Sequence, residues 1–237
     1  MNNEIKKLDT YKFSTKTGFN SILLGLRYKF LSKYFKGKTC LELGSADGEG
    51  TKMLLKHFDS IVAVDGSPKL VKKAKKGIKN RKVSFVISLF KDLALDEKFD
   101  TVILAHILEH VDNPVDTIKV AAKFVNDGGV LIIDVPNARS IHRQVGVLMG
   151  MLKSEYELNS ADLSIGHKRV YDMNLLMRDI EKAGLSIKEK GGLFLKSFSN
   201  KQLERMLNKK GVEAFNLVGM RYPDIAAEIF VIAINKK

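Results

Sequence analysis

A strand, a glycine-rich turn and a helix start are written into ten consecutive residues, Leu41-Glu42-Leu43-Gly44-Ser45-Ala46-Asp47-Gly48-Glu49-Gly50. Small residues at Gly44, Ser45, Ala46 and Gly48 let a ligand approach the backbone, and a helix N-terminus offers free N–H groups. The spacing is not the dinucleotide pattern G-x-G-x-x-G, because Glu49 stands where the third glycine would fall. Asp47 and Glu49 would also repel a pyrophosphate. Twenty-one residues after Gly44, the apolar run Val62-Ala63-Val64 ends in Asp65-Gly66. A carboxylate at the end of a second strand is placed to take both hydroxyls of a ribose. The alternative for Asp65 is a helix cap ahead of Ser67-Pro68.

The rest of the chain repeats that rhythm. Apolar runs at Ile61–Val64, Val83–Ile87, Thr101–Leu104, Val130–Val135, Leu185–Lys188 and Ile229–Ile234 read as strands. Helical spacing fits Glu49–His57, Pro68–Gly77, Pro114–Val125 and Asn174–Ala183 between them, with a leading helix over Phe19–Phe35. Strands alternating with helices predict an α/β fold, a doubly wound, mostly parallel sheet with helices on both faces. Ligands of such sheets bind at the carboxyl ends of the strands.

The net charge of +13 raises nucleic acid as a partner. Much of it sits in Lys69–Lys82, with eight Lys/Arg and no acid; outside that run, 32 basic residues face 27 acidic ones. The run has an inward side of Leu70, Val71 and Ala74 and no aromatic residues for stacking bases, so it reads as a solvated helix face. No apolar run approaches the roughly twenty residues of a membrane span. The N-terminal MNNEIKKLDTYKF lacks a secretory apolar stretch, and the lone Cys40 suits a reducing cytosol. The expected location is cytoplasmic.

Leu41–Gly50, Asp65, Phe99-Asp100-Thr101-Val102, Leu108-Glu109-His110-Val111 and Gly128-Gly129 together resemble the class I S-adenosylmethionine-dependent methyltransferases, particularly the group holding the ubiquinone and menaquinone biosynthesis enzymes. The resemblance is strong over about residues 38–136 and loose elsewhere. It implies a Rossmann-like sheet of seven strands with the last one antiparallel, and S-adenosyl-L-methionine as cofactor. It also implies a cofactor site in which Gly44, Ser45 and Gly48 line the methionine part, Asp65 holds the ribose, Leu89 and Phe90 flank the adenine and Ala105 lies beside the sulfonium, with Glu42, Ala46 and Gly66 as further cofactor-binding residues. Arg27 is the expected partner of the cofactor carboxylate. Leu89 stands where relatives often carry an acid, and Asp92 is the substitute for that contact.

Were Ala105–Val111 helical, His106, Glu109 and His110 would share one face, a donor set for a divalent metal. The preferred reading assigns no metal and has Glu109 and His110 hold the loop by hydrogen bonds. His142 and His167, with His106 behind them, are the candidate bases for removing an acceptor proton.

The chain reads as one domain over 1–237, with an N-terminal helical cap at 1–37 and insertions at about 138–171 and 191–223. The first insertion carries the apolar stretch Val145–Leu152, expected to be an acceptor-selecting lid, with plain core or a homodimer contact as alternatives. The expected activity is methyl transfer to oxygen or nitrogen of a small-molecule or sugar-like acceptor. An RNA methyltransferase is the second reading, and a cofactor-binding protein without catalysis the third.

Overall fold

The computed structural model describes residues 8, 9 and 16–236. The expected cap over 1–37 therefore lies outside the described residues at 1–7 and 10–15. Seven strands form one sheet: β1 Thr39–Leu43, β2 Ser60–Asp65, β3 Val83–Ile87, β4 Phe99–Ala105, β5 Val125–Pro136, β6 Leu185–Leu193 and β7 Glu228–Asn235. Their spatial order is β3-β2-β1-β4-β5-β7-β6. Strands β1 to β5 pair in parallel, and β7 runs antiparallel to both β5 and β6. This is the Rossmann-like architecture expected, with β7 as the reversed strand.

Period-two alternation explains why the strands read as continuous apolar runs. Leu41, Leu43, Val62, Val64, Val102, Leu104, Leu131 and Ile133 pack into one core; Cys40, Ile61, Ile103, Val130 and Ile132 pack into another. Both faces are buried, so the central strands are mostly apolar, with Glu42, Thr101 and Asp134 as buried polar exceptions. The first core is covered by α4 Pro114–Lys123 and α7 Met173–Lys182, through Ile118, Ala121, Leu176 and Ile180. The second is covered by α1 Gly18–Leu31 and α2 Glu49–Leu54, through Leu24, Tyr28, Leu31 and Leu54.

The helix α3 Pro68–Gly77 matches the sequence reading end to end. Pro68 starts it and the Ser67 hydroxyl caps it, accepting from the Leu70 amide at 3.1 Å. Val71 and Ala74 are its buried residues, so its lysines do face water. Other boundaries moved. The chain leaves α4 at Lys123 and enters β5 at Val125, where the spacing had kept a helix. The first insertion contains α5 Ile141–Leu148 and α6 Ser160–Ser164; the second contains α8 Asn200–Met206 and α9 Lys209–Arg221. No helix among the described residues is long and apolar enough to cross a membrane.

At the amino ends of the strands, Asp100 explains one of the sequence motifs. Its carboxylate accepts from the amides of Lys38 at 2.8 Å and Thr39 at 3.1 Å, and from Asn126 Nδ2 at 3.0 Å. These donors hold it below the usual carboxylate range despite some burial. It ties β1, β4 and β5 together, far from the strand ends where ligands bind.

Candidate active site

The carboxyl ends of the strands open into a cavity of about 790 Å³. Its first half is built by the turn after β1 and the end of β2. Gly44 donates to the Val64 carbonyl at 2.8 Å, and Ser45 does the same at 3.0 Å, so the turn is tied to β2. Gly44 has φ +91°, and a Cβ there would lie 2.0 Å from Ile107 Cδ1. Only glycine fits that turn.

Asp65 closes this half from the other side. Its Oδ2 accepts from the Ala46 amide at 2.9 Å, and its Oδ1 from the Ser67 amide at 2.8 Å. Burial raises its pKa against the pull of these two bonds, and Asp9 adds to the rise. Each oxygen keeps a lone pair for a ligand hydroxyl. Asp9 accepts a hydrogen bond from Ser67, and Leu8 borders the cavity beside Gly66, a contribution from upstream that sequence reading missed.

Glu42, Gly44, Ser45, Ala46, Asp65 and Gly66 all line the cavity, as do Leu89, Phe90 and Ala105. Gly48 does not; its Cα faces Ala74 and Ile78 under the turn. Glu42 is buried and accepts from Tyr28 Oη at 3.1 Å and Thr51 Oγ1 at 2.5 Å. Burial outweighs both bonds and pushes its pKa up to about 7. A Cβ on Gly50 would come within 2.6 Å of Tyr28 Oη and 2.7 Å of Glu42 Oε1, so this pair needs glycine beside it.

The middle of the cavity holds a charged cluster. Arg27 donates from Nη2 and Nε to Glu228 at 2.7 and 3.0 Å, and its Nε lies 2.9 Å from Asp134 Oδ2. His106 Nε2 is 2.7 Å from Arg27 Nη2 and 3.4 Å from both carboxylates. Arg27 and His106 hold Glu228 well below the usual carboxylate range against its burial. Burial drives Asp134 the other way, to about 6, although Arg27 and His106 oppose it. Arg27 thus lines the cavity already engaged by two carboxylates. Asp134 and Glu228 were not picked out from sequence; the signal was a charge inside an apolar strand.

After β4 ends at Ala105, residues 106–111 form a bend and turn, not a helix, and His106 takes φ +54°. The three residues do not form one donor group, although His106 and Glu109 stay in contact. His106 joins Asp134 and Glu228, whereas Glu109 and His110 join His167. The Glu109 carbonyl accepts from the Lys168 amide at 2.7 Å, so its backbone does hold the loop. Its carboxylate oxygens are buried without a hydrogen-bond partner, with His106 Nδ1 3.4 Å away. Two imidazoles and a carboxylate within 4.8 Å are a donor set that suits divalent transition ions.

The far half of the cavity belongs to the first insertion and the chain after β6. His142, His167 and Lys196 border it. His167 Nδ1 lies 3.4 Å from Asp162 Oδ1, and its ring packs edge-on against His110 at 4.7 Å. Burial, Lys196 and Arg143 together press the His142 pKa down to about 3. Arg143 staples the insertion internally, donating to the Glu155 carbonyl at 2.7 Å, to Asp162 at 3.2 Å and to the Glu157 carbonyl. Its neck is closed by the Ala138 amide on the Tyr171 carbonyl at 2.6 Å. Leu148, Met149 and Met151 at its tip are 87, 68 and 72% exposed, which removes the plain-core reading for them.

Known proteins resemble this chain in family and fold. A family model described as a methyltransferase domain matches residues 22–215. A ubiquinone biosynthesis O-methyltransferase of Coxiella burnetii is 28% identical over 142 residues, 56% of this chain and 58% of that protein. The chain therefore spans little more than half the length of the curated relatives it matches. Among solved structures, the N-methyltransferase NodS of Bradyrhizobium japonicum, in complex with S-adenosyl-L-homocysteine, superposes over the whole of both chains with a TM-score of 0.62 at 14% identity. The [4+2]-cyclase SpnF superposes with a TM-score of 0.64 at 15% identity, over 95% of this chain and 86% of that one. With the glycine turn, the strand-end Asp65 and the reversed seventh strand in place, the match over most of its length settles the chain's family: it belongs to the methyltransferase-domain family, the S-adenosylmethionine-dependent methyltransferases of class I fold.

Proposed function

We propose that this protein methylates an oxygen of a small-molecule acceptor, with His167 as the base. The observation that carries the reading is one cavity with a nucleoside-type cradle at one end and a His167–Asp162 pair at the other. The cradle fits the cofactor: Asp65 is open to the ribose, Ser45 Oγ is buried without a partner, and Leu89 and Phe90 offer apolar walls for the adenine.

When bound, S-adenosylmethionine supplies an electrophilic methyl group, and the electron pair of the broken C–S bond returns to sulfur. The chain's own work is to align the acceptor and exclude water. Asp162 holds one ring nitrogen of His167 and leaves the other for the acceptor hydroxyl, whose proton passes to it as the O–C bond forms. The O-methyltransferase name of the Coxiella relative supports oxygen over nitrogen.

The test is transfer of isotopically labelled methyl from S-adenosylmethionine into a metabolite extract of a strain lacking the gene. Label should enter a small molecule with the wild type and not with Asp65→Ala. Label in RNA alone would replace this reading with an RNA methyltransferase. Cofactor binding with no label in either pool would leave a binding protein without catalysis.

A further inference from the structure

We infer that the acceptor is an anion, and that Lys196 is the residue that selects its carboxylate or phosphate group. This rests on the methyltransferase reading of the cavity and adds the chemical class of what enters its far half.

Lys196 follows β6, at the opposite edge of the sheet from β2 and Asp65. β1, β4, β5 and β7 lie between those two strands, so Lys196 serves the acceptor end and not the cofactor end. Its backbone position is fixed. Phe194 turns the chain out of β6 at φ +57°, its carbonyl accepts from the Ala227 amide at 2.7 Å, and the Leu195 amide donates to Phe215 at 2.9 Å. The side chain borders the cavity beside His142, Arg143 and Asp162.

Among the described residues Lys196 forms neither a hydrogen bond nor an ion pair, although it is half-buried. The acids nearby are already committed. Glu228 takes two hydrogen bonds from Arg27. Asp162 takes Arg143, lies against His167 and caps α6 through the Asn159 amide. Burial lowers the Lys196 pKa, although the carboxylates of Glu228 and Asp162 oppose it at longer range. His142 Nδ1 is a second buried polar atom in this half with no partner. An ammonium and an imidazole, both unpartnered and both on the acceptor side, form a ready recognition pair for one anionic group. Leu23, Leu24 and Ile165 supply apolar wall for the rest of the molecule.

A hydrogen bond to a charged group contributes about 1.5–3 kcal/mol, so an anion should be preferred over its neutral isostere by about tenfold or more. The experiment uses the full chain saturated with S-adenosylhomocysteine, and benzoate, phenyl phosphate and neutral benzamide as probes in ligand-detected NMR. Benzoate or phenyl phosphate should bind at least about tenfold more tightly than benzamide, and whichever binds better names the group. Lys196→Met should bring the anion down to the level of benzamide, and Lys196→Arg should keep the preference. Calorimetry should show equal S-adenosylhomocysteine affinity in wild type and both variants. The inference is overturned if no anion binds, if benzamide binds as well as the anions, or if Lys196→Met leaves anion binding unchanged. Weakened S-adenosylhomocysteine binding in Lys196→Met also overturns it, by assigning the lysine to the cofactor carboxylate. Failure of the wild type to bind S-adenosylhomocysteine would instead overturn the methyltransferase reading itself.

Discussion

Arg27 and Glu228, 201 residues apart in the chain, meet in a two-pronged buried ion pair with N–O distances of 2.7 and 3.0 Å. The pair fastens the first described helix to the start of the last strand, with Asp134 as a third member. Arg27→Met strands two buried carboxylates and should cost about 3–5 kcal/mol at neutral pH, read by urea unfolding. The sign with pH follows from the shifts. In the wild type Glu228 lies below its ordinary pKa, so its stabilisation is present at neutral pH and is lost only in strong acid. Without Arg27 both carboxylates rise, so the variant recovers as pH falls through the mildly acidic range. The gap between the two proteins should narrow from about pH 7 to about pH 5. A gap below about 1 kcal/mol, or one that widens in acid, would refute the assignment.

Glu42 sets a second pH dependence. Its folded pKa of about 7 lies above the ordinary carboxylate value. A raised pKa contributes stability that is complete in acid and is lost as pH rises through the folded value. The stability of the wild type relative to Glu42→Gln should therefore fall by a few kcal/mol as pH rises from about 4.5 to about 7 and level off above that. A flat difference would mean that Glu42 is ionised throughout.

Asp65→Ala should weaken S-adenosylhomocysteine binding by about a hundredfold or more, since two charge-assisted hydrogen bonds are lost. It also frees the amides of Ala46 and Ser67, so unfolding should be measured alongside calorimetry. Wild-type affinity in this variant would remove Asp65 from the ribose role.

Turnover should fall about a hundredfold or more in His167→Ala at saturating cofactor, the size expected for a lost general base. His142→Ala should cost far less, because a histidine pressed down to about 3 holds a proton poorly near neutrality. The reverse ranking would move the base to His142.

The exposed tip of the first insertion allows a test that spares its interior. Serine at Leu148, Met149 and Met151 leaves the Arg143 bonds intact. Stability should change by less than about 0.5 kcal/mol, cofactor affinity should hold, and the acceptor KM should rise if the tip closes over the cavity. A halved mass in sedimentation with unchanged KM would mark the tip as a homodimer contact.

What was legible in sequence was local. Ser67 and Pro68 mark the start of α3, and apolar runs buried on both faces mark β1 to β5, because those signals lie within a few residues of one another. The turn at His106 was not legible, since i, i+3, i+4 spacing also suits a helix and nothing nearby announces the positive φ. The helix α9 was missed because Gly211 and Gly219 interrupt its pattern; Gly219 is there to let the helix meet the Phe194 backbone. In the site, Asp65 was readable from its place at a strand end. Lys196, Asp162 and Glu228 were not, since only tertiary packing brings residues so far apart in sequence to one cavity.

The 2.6 Å hydrogen bond between Ala138 and Tyr171 makes the first insertion a cassette. Its entry and exit are pinned side by side, so the loop between them can be lengthened, shortened or exchanged at a closure cost that grows only slowly with length. The sheet, the glycine turn and Asp65 would not register the exchange. On the proposed reading of the cavity, grafting another protein's segment at these two residues would exchange the far wall, His142 and His167 included, and leave the glycine turn and Asp65 in place.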